Sequence, residues 1–300
     1  MLITGHQKII ARLERAISQK SVSQSYLFCG PESVGKFLVA TDFAEKLTGA
    51  EAGKLNRNLL IIAPEVEEKN GVRREREIKI DEIKKLQKEF SLTSFGEKNR
   101  VVIIRSAQNL NVAAQNSLLK LLEEPPKKSV LILVAENEKK LLPTIISRCQ
   151  LVRFNLLPDA QIEAMLAGTE HKEEIVFWSL GRPGLAKLFL ADKLELEKQL
   201  ELADEFKSLF SLELNEKFFL AEKLAKNTPE LLDKMAFWIV LLRQSLLGKK
   251  QIEIVSPEKA LKLIEKIEES KRIIESTNSN ARLVLENLLV LFGAGVSRKL

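Results

Sequence analysis

The sequence predicts an α/β fold, in which a helix-flanked, mostly parallel sheet is followed by a set of packed helices. Short apolar runs alternate with helical stretches up to about residue 155. After Pro158 the strand signal fades, and apolar residues recur at spacings of three and four, which is typical of amphipathic helices. A chain of 300 residues is also longer than one hydrophobic core usually serves, so we expect two or three domains.

Five apolar runs in the first half are nearly continuous, as expected of strands that are buried on both faces of a parallel sheet. The runs are Tyr26–Cys29, Leu59–Ile62, Val101–Ile104, Val130–Val134 and Leu151–Phe154. Because helical stretches separate these runs, the alternation predicts a five-stranded parallel sheet covered by helices.

The helices predicted between these strands have recognisable ends. Asp81 and Asn111 are expected N-caps, and Pro125 ends the third helix because proline has no N–H group and restricts the residue before it. The mixed-charge run Lys69–Lys88 is predicted to be a solvated loop and helix face. The four helices are Lys36–Leu47, Asp81–Phe90, Asn111–Glu123 and Lys139–Arg148.

The second half is predicted to be helical. Residues 158–195 read as short helices that are interrupted by Gly181–Gly184. Longer amphipathic helices follow, and we place domain boundaries to give the segments 1–157, 158–195 and 196–300. The longer helices are Leu194–Phe210, Pro229–Leu247, Pro257–Glu275 and Asn280–Phe292.

Composition excludes some classes of protein. No apolar stretch reaches 18 residues and the N-terminus lacks the layout of a signal peptide, so we expect a cytoplasmic protein with no membrane partner. The net charge of +6 is compatible with nucleic acid nearby, but it is spread among many glutamates and is weak support for DNA binding. Cys29 and Cys149 are predicted to be reduced, partly buried thiols rather than a disulfide.

The segment Gly30–Lys36, which we call the phosphate loop, follows a predicted strand and opens a predicted helix. In that context its G-x-x-x-x-G-K pattern indicates that loop amides face phosphate oxygens and that a lysine reaches the terminal phosphates. Gly30, Gly35 and Lys36 are therefore the candidate nucleotide-binding residues. The alternative is a phosphate-shaped turn that is kept because it packs well.

The groups that would hold magnesium are missing. The residue after the loop lysine should be Ser or Thr but is Phe37, and the strand that should end in acids is followed by Arg105 and Ser106. We therefore expect no bound metal and no ATP hydrolysis at this site, while weak binding of ATP or ADP stays open. Polymerase chemistry would need paired acids for two metals, and none is positioned for it.

Several motifs resemble one family closely. They are Gly5–Gln7, Ser25–Phe28, Leu59–Glu65, Arg100–Ile104, and above all the runs Asn116–Pro126 (NSLLKLLEEPP) and Leu142–Cys149 (LPTIISRC). At this spacing they are similar to the delta-prime subunits of the bacterial DNA polymerase III clamp loader, a branch of the AAA+ proteins. The resemblance is at motif level over residues 1–190 and only architectural beyond.

The resemblance implies an AAA+ P-loop domain, a helical lid at 158–195 and a C-terminal helical collar. It implies motor and clamp-opening subunits as partners, with the sliding clamp and primed DNA reached through the complex. The chain would be the stationary subunit, without intrinsic ATPase, of a DNA-directed DNA polymerase holoenzyme. Thr48–Asn58 contains no Cys or His, so the zinc module of many relatives is not expected. The family's polar sensor residue aligns near Ala135–Asn137, where its role is in doubt. The family's sensor arginine would fall near Gly184, and Arg182 is offset from that position.

By the same resemblance, Arg148 is an arginine finger that projects towards the ATP of a neighbouring subunit and stabilises charge on the transferring phosphoryl group. On spacing alone, it would be a cation at the C-terminal end of a helix. The helix Asn111–Glu123 would line the chamber for duplex DNA, with Gln115, Asn116 and Lys120 as the candidate contacts. For Lys120, an ordinary solvent-facing position is an equal alternative.

Two other functions compete with this one. The chain could be an active AAA+ motor with divergent metal ligands, and it would then turn over ATP with magnesium when purified alone. It could also be a P-loop scaffold outside replication, and it would then not co-purify with clamp-loader subunits. Phe37 and Arg105 argue against the motor.

Overall fold

The computed structural model describes residues 3–49, 56–69, 72–91, 99–246, 255–276 and 279–293. The chain divides into two compact units, Met1–Lys193 and Leu194–Leu300. The first unit contains the sheet and nearly all of the predicted lid, and the second begins close to the predicted start of the collar. Among the described residues, no helix is both long and apolar enough to cross a membrane.

The predicted five-stranded parallel sheet is confirmed. Its strands pair in the order β2-β5-β6-β1-β7, and every pairing is parallel. β1, β5 and β6 are buried along their whole length, which explains their continuous apolar sequences. The strands of this sheet are β1 Ser25–Cys29, β2 Leu59–Ile62, β5 Arg100–Ile104, β6 Ser129–Ala135 and β7 Gln150–Arg153, and β3 Val66–Lys69 and β4 Val72–Glu75 form a separate pair.

Helices cover both faces of the sheet. On one face, α1 Gln7–Ser18 and α2 Lys36–Thr48 contribute to a core that contains Leu13 and Phe43. On the other face, α3 Ile80–Ser91 and α4 Val112–Glu123 contribute to a second core. The carboxyl ends of the parallel strands therefore meet at one edge between the two helical layers, which is where ligands of such sheets bind.

The helix ends are partly as predicted. Asn111 is the N-cap of α4, and its side chain accepts a hydrogen bond from the Ala114 amide at 2.9 Å. The prediction that Asp81 caps α3 is wrong, because α3 begins at Ile80 and Asp81 lies in its first turn. The carboxylate of Glu82 instead accepts from the Lys79 amide at 3.0 Å.

The predicted helix Lys139–Arg148 is largely wrong. The structure has a 3₁₀ turn at Glu138–Lys140 and a four-residue helix, α5 Pro143–Ile146, with extended backbone between them. Proline disfavours helical geometry in the residue before it and is well tolerated at the first helical position, so Pro143 starts a helix rather than continuing one.

The mixed-charge run Lys69–Lys88 agrees only in part with its prediction as a solvated loop and helix face, since its part from Ile80 onwards lies in α3. Part of it forms the antiparallel hairpin of β3 and β4, in which Val66 is paired with Glu75. The carboxylates of Glu65 and Glu67 accept from the guanidinium of Arg76 just after the hairpin. The hairpin is joined to no other strand among the described residues, and its charged sequence lacks the apolar alternation that would have predicted it.

The remaining helices follow the predicted pattern, except that the helix Leu214–Ala225 was not among the predicted stretches. In the second unit, the rings of Phe206, Phe210, Trp238 and Phe292 lie 5.1–6.0 Å apart between centroids and form an aromatic core. The helices are α6 Asp159–Met165, α7 Lys172–Ser179 and α8 Pro183–Ala191 in the first unit, and α9 Lys193–Ser208, α10 Leu214–Ala225, α11 Thr228–Leu246, α12 Pro257–Ser276 and α13 Ala281–Gly293 after them.

Candidate functional site

The phosphate loop connects β1 to α2 and has the backbone of an anion-binding turn. Gly30, Ser33 and Gly35 all have positive φ angles, of 153°, 60° and 102°. A Cβ atom at Gly30 would overlap the carbonyl oxygen of Phe154, so only glycine fits there. The loop ends at the N-terminus of α2, where unpaired amides and the helix dipole favour an anion.

Lys36 is the first residue of α2, and its side chain is buried. Its ammonium donates to the carbonyl oxygens of Gly30 at 2.6 Å and Pro31 at 2.5 Å. Burial lowers the pKa of Lys36 below its usual value, and nearby acidic groups, Glu136 first, oppose the shift. The lysine therefore lies folded onto the loop from which it would reach a phosphate.

The two predicted departures from an ATPase site are in contact with each other. The guanidinium carbon of Arg105, directly after β5, lies 5.4 Å from the ring centroid of Phe37. The hydroxyl of Thr41, one turn further along α2, donates to the Phe37 carbonyl oxygen at 2.9 Å. No cluster of metal-ligating side chains occurs in the part of the chain that the structure describes. These residues do not fit the magnesium ion that the fold family implies, because a ring and a cation stand where oxygen ligands are needed.

A cavity of about 500 Å³ opens beside the loop and mixes charges of both signs. Its acidic residues are Glu32, Glu75 and Glu136, and its basic residues are Lys36, Arg105 and Lys187. Burial raises the pKa of Glu136, with a further contribution from the neighbouring Glu32. Sequence reasoning missed Glu75 and Lys187, which come from β4 and α8.

The predicted lid segment contacts the phosphate loop directly. The Gly184 amide, at the start of α8, donates to the Ser33 carbonyl oxygen at 2.8 Å, and a Cβ at Gly184 would lie 2.8 Å from that oxygen. Arg182 is the residue before α8, and its Nε is buried without a hydrogen-bond partner. Lys187, one turn after Gly184, is the cation of α8 that lines the cavity.

Arg148 does not line this cavity. It follows α5 at the end of the sheet where β7 begins, away from the phosphate loop at the carboxyl end of β1. Its guanidinium pairs with Glu123, at the end of α4, at 2.7 Å and donates to the Thr144 carbonyl oxygen at 3.1 Å. The side chain is 37% exposed, so the guanidinium remains accessible to a partner.

The three predicted DNA contacts on α4 separate into two kinds. Gln115 is buried, and its amide donates to the carbonyl oxygens of Leu110 and Lys140 while its oxygen accepts from the Leu142 amide at 2.8 Å. This side chain has no face left for a phosphate, contrary to its predicted role. Asn116 and Lys120 are exposed and lie one turn apart on the same face of the helix.

The cysteines and histidines do not form a nucleophilic pair. Both thiols are free, as predicted, and burial raises the pKa of Cys149 to about 12. His6 instead contacts the phosphate loop, with its Nε2 at 3.1 Å from the Val34 carbonyl oxygen. This link between the N-terminal segment and the loop was not apparent from the sequence.

Known proteins resemble this chain chiefly in the sheet-bearing part. A family model described as DNA polymerase III, delta subunit, matches residues 5–158, just over half of the chain. The delta' subunit of DNA polymerase III from Bacillus subtilis is 35% identical over 169 residues, which cover 53% of this chain and 50% of that protein. The tau subunit from the same organism is 30% identical over 174 residues, covering 53% and 30%. The chain thus spans half or less of the length of these relatives.

Among solved structures, a protein related to the gamma subunit of DNA polymerase III, from Thermotoga maritima, is similar along most of its length. The match covers 94% of this chain and 98% of that one, with 21% identity and a TM-score of 0.48.

Proposed function

This chain belongs to the family described as DNA polymerase III, delta subunit, and from that premise we propose that it is a clamp-loader subunit that hydrolyses no ATP itself. Its proposed partners are the motor and clamp-opening subunits of the complex. Through them it would act on the sliding clamp and primed DNA in the cytoplasm. Its one catalytic contribution would be Arg148, offered to the ATP of a neighbouring subunit.

The strongest support for a silent site is the contact between Phe37 and Arg105. These two residues occupy both positions at which an ATPase of this type holds magnesium. The Thr41 hydroxyl, which lines the cavity from α2, cannot replace them freely because it donates to the Phe37 carbonyl oxygen. Without a positioned metal ion, charge on the transferring phosphoryl group has too little stabilisation for hydrolysis. The purified chain, incubated with ATP and magnesium, should therefore release no phosphate above background. Sustained turnover would instead favour the active-motor alternative.

The support for the finger is the position of Arg148. The residue follows α5, is outside this chain's own cavity and is held at the surface by Glu123 and the Thr144 carbonyl oxygen. A guanidinium that is oriented but accessible suits insertion into a site on another protein. Planar guanidinium groups also match phosphate oxygens in two-point contacts.

Reconstitution with the motor and clamp-opening subunits tests the finger. We expect Arg148→Ala to reduce ATP hydrolysis roughly 10³-fold or more at the site that it serves, seen as loss of that site's share of clamp- and DNA-stimulated turnover. The matched control is Arg153→Ala, which removes another exposed guanidinium, one that pairs with Glu138 at 3.0 Å. The control should retain the wild-type rate.

Two results would reject parts of this proposal. If Arg148→Ala enters the complex and hydrolyses ATP at the wild-type rate, the residue is not a finger. If the wild-type chain never joins the other subunits, the clamp-loader role itself fails, and a scaffold outside replication becomes the better reading.

A further inference from the structure

We propose that the cavity beside the phosphate loop binds the phosphates of a nucleotide without a divalent metal ion, with the guanidinium of Arg105 in place of the metal. This inference deepens the proposed silent site and rests on it for the loss of hydrolysis. It concerns what the site still binds once its magnesium ligands are gone.

The loop retains the geometry that holds phosphate. Gly30, Ser33 and Gly35 have positive φ angles, and the loop leads into the N-terminus of α2, where amides without helical partners favour an anion. The Lys36 ammonium has three donors and uses two of them on the carbonyl oxygens of Gly30 and Pro31, both within the loop. A phosphate oxygen can therefore be met by the remaining donor or can displace a carbonyl.

Arg105 supplies a cation that is not committed elsewhere. No hydrogen bond or ion pair engages its guanidinium within the residues that the structure describes, although Glu75 and Glu136 line the same cavity. Its contact is with the ring of Phe37, which holds the guanidinium beside the loop. The planar group presents five donors and binds phosphate oxygens at two points.

Because of Phe37 and Arg105, a nucleotide that carries magnesium should bind here more weakly than the metal-free nucleotide. Magnesium requires about six oxygen ligands at roughly 2.0–2.1 Å, and neither Phe37 nor Arg105 supplies one. A magnesium ion on the phosphates would also occupy the oxygens that Arg105 binds and would be repelled by its charge. The site should therefore prefer the metal-free nucleotide, which is the reverse of an ordinary ATPase.

The acidic residues limit the affinity rather than abolish it. Both carboxylate oxygens of Glu75 already accept hydrogen bonds, from Ser106 at 3.1 Å and Asn109 at 2.8 Å. Glu75 keeps its charge, so all three acidic residues repel an added phosphate, against the attraction of Lys36 and Arg105. The volume of about 500 Å³ lies within the range of small-molecule sites, about 300–1,000 Å³. We expect a weak complex with ADP.

Calorimetric titration of the full chain with ADP tests the proposal. In EDTA, ADP should bind, and an excess of magnesium should weaken the affinity about tenfold or more. Arg105→Ala should lower the metal-free affinity roughly 10- to 100-fold, because a charge-assisted contact to phosphate is lost. Arg105→Lys keeps the charge without the fork and should retain an intermediate affinity.

The control is Arg243→Ala in the second unit, where an exposed arginine pairs with Glu268 at 2.9 Å. It removes the same charge and should bind ADP as the wild type does. The double variant Phe37→Thr with Arg105→Asp restores both ligand types and should bind ADP more tightly with magnesium than without. Circular dichroism spectra establish that each variant is folded.

Three outcomes would overturn the inference: no binding of ADP in EDTA, tighter wild-type binding with magnesium, or an unchanged affinity in folded Arg105→Ala. None of them bears on Arg148, whose reconstitution test does not depend on an occupied loop. A failure here with a positive finger result would thus leave the proposed clamp-loader function standing.

Discussion

At the scale of single residues, Phe37 and Arg105, which stand at the two positions where an ATPase would hold magnesium, are coupled because their side chains contact each other. Each removes a magnesium-holding group, and together they form a cation–π contact with 5.4 Å between the guanidinium carbon and the ring centroid. Such a contact is worth about 0.5–1 kcal/mol at an exposed site. The ring of Phe37 thus offsets part of the cost of a second cation in the cavity that Lys36 also lines.

His6 makes the stability of the first unit depend on pH. Its ring lies 4.9 Å from that of Phe154 and its Nε2 contacts the Val34 carbonyl oxygen. Burial lowers the pKa of His6 below 6.5, and the carbonyl only partly opposes this. The unfolded chain therefore takes up a proton at a higher pH than the folded chain. The stability that neutral His6 contributes is present above about pH 6.5 and is lost as the pH falls through the lowered pKa.

We expect urea denaturation to show a fall in the free energy of unfolding between pH 7.5 and 5.5, by about 1.4 kcal/mol for each unit that separates the two pKa values. His6→Gln should remove this component of the pH dependence. His171→Gln, at an exposed histidine beside Glu174, is the control and should leave the slope as in the wild type. An identical slope in His6→Gln would show that other groups cause the dependence.

At the scale of elements, α4 joins the predicted DNA face to the segment that leads to Arg148. Its N-cap Asn111 holds the first turn, and Gln115 fixes the backbone at Lys140 and Leu142, shortly before α5. Glu123 at its other end pairs with Arg148. The position of the proposed finger thus depends in part on this helix, in addition to the Thr144 carbonyl oxygen.

Removing the cap should weaken α4. Asn111→Ala deprives the Ala114 amide of its acceptor, and we expect a loss of about 1 kcal/mol, within a range of about 0.5–2, in the free energy of unfolding. Asn116→Ala removes the same side chain from an exposed position on the same helix and should change stability by less than about 0.5 kcal/mol. Equal losses in both variants, measured by urea denaturation, would contradict the capping role.

The elements also show where sequence reasoning succeeds. The three fully buried strands, β1, β5 and β6, were predictable because a strand covered on both faces leaves a continuous apolar run. The hairpin of β3 and β4 was not, because its charged sequence lacks the apolar alternation of a half-buried strand. The role of Gln115 could have been predicted: it lies on the helical stripe of Ala114, Leu118 and Leu122, and a polar residue on a core stripe must bond internally.

At the scale of the whole molecule, the cavity gathers residues that are far apart in sequence. Arg105 and Glu136 both follow strands of the parallel sheet, whose carboxyl ends meet at one edge, so their proximity to the loop was predictable in principle. Glu75 and Lys187 come from the hairpin and from α8. No pattern in the sequence predicts that these two elements lie next to the phosphate loop. The residues of this cavity that follow strands of the parallel sheet can thus be predicted from the sequence, whereas those that come from the hairpin and from α8 cannot.

The net charge of +6 is too evenly mixed with acids to locate a DNA surface, so any contact must be argued from individual side chains. Lys120 and Asn116 share an exposed face of α4. If Lys120 neutralises one phosphate in the assembled complex, Lys120→Ala should weaken binding to primed DNA for every sequence. It should also reduce the slope of log affinity against log salt by about 0.9, the share of one released counterion.

The comparison that decides this is with Lys207→Ala. That variant removes the same charge from an exposed lysine on α9, which pairs with Asp204 at 2.9 Å, so general electrostatic attraction changes equally. Fluorescence anisotropy of labelled primed DNA at a series of salt concentrations gives both slopes. A reduced slope for Lys120→Ala alone places a phosphate at α4, because only a local contact releases its own counterion. Equal slopes would make Lys120 an ordinary solvent-facing residue.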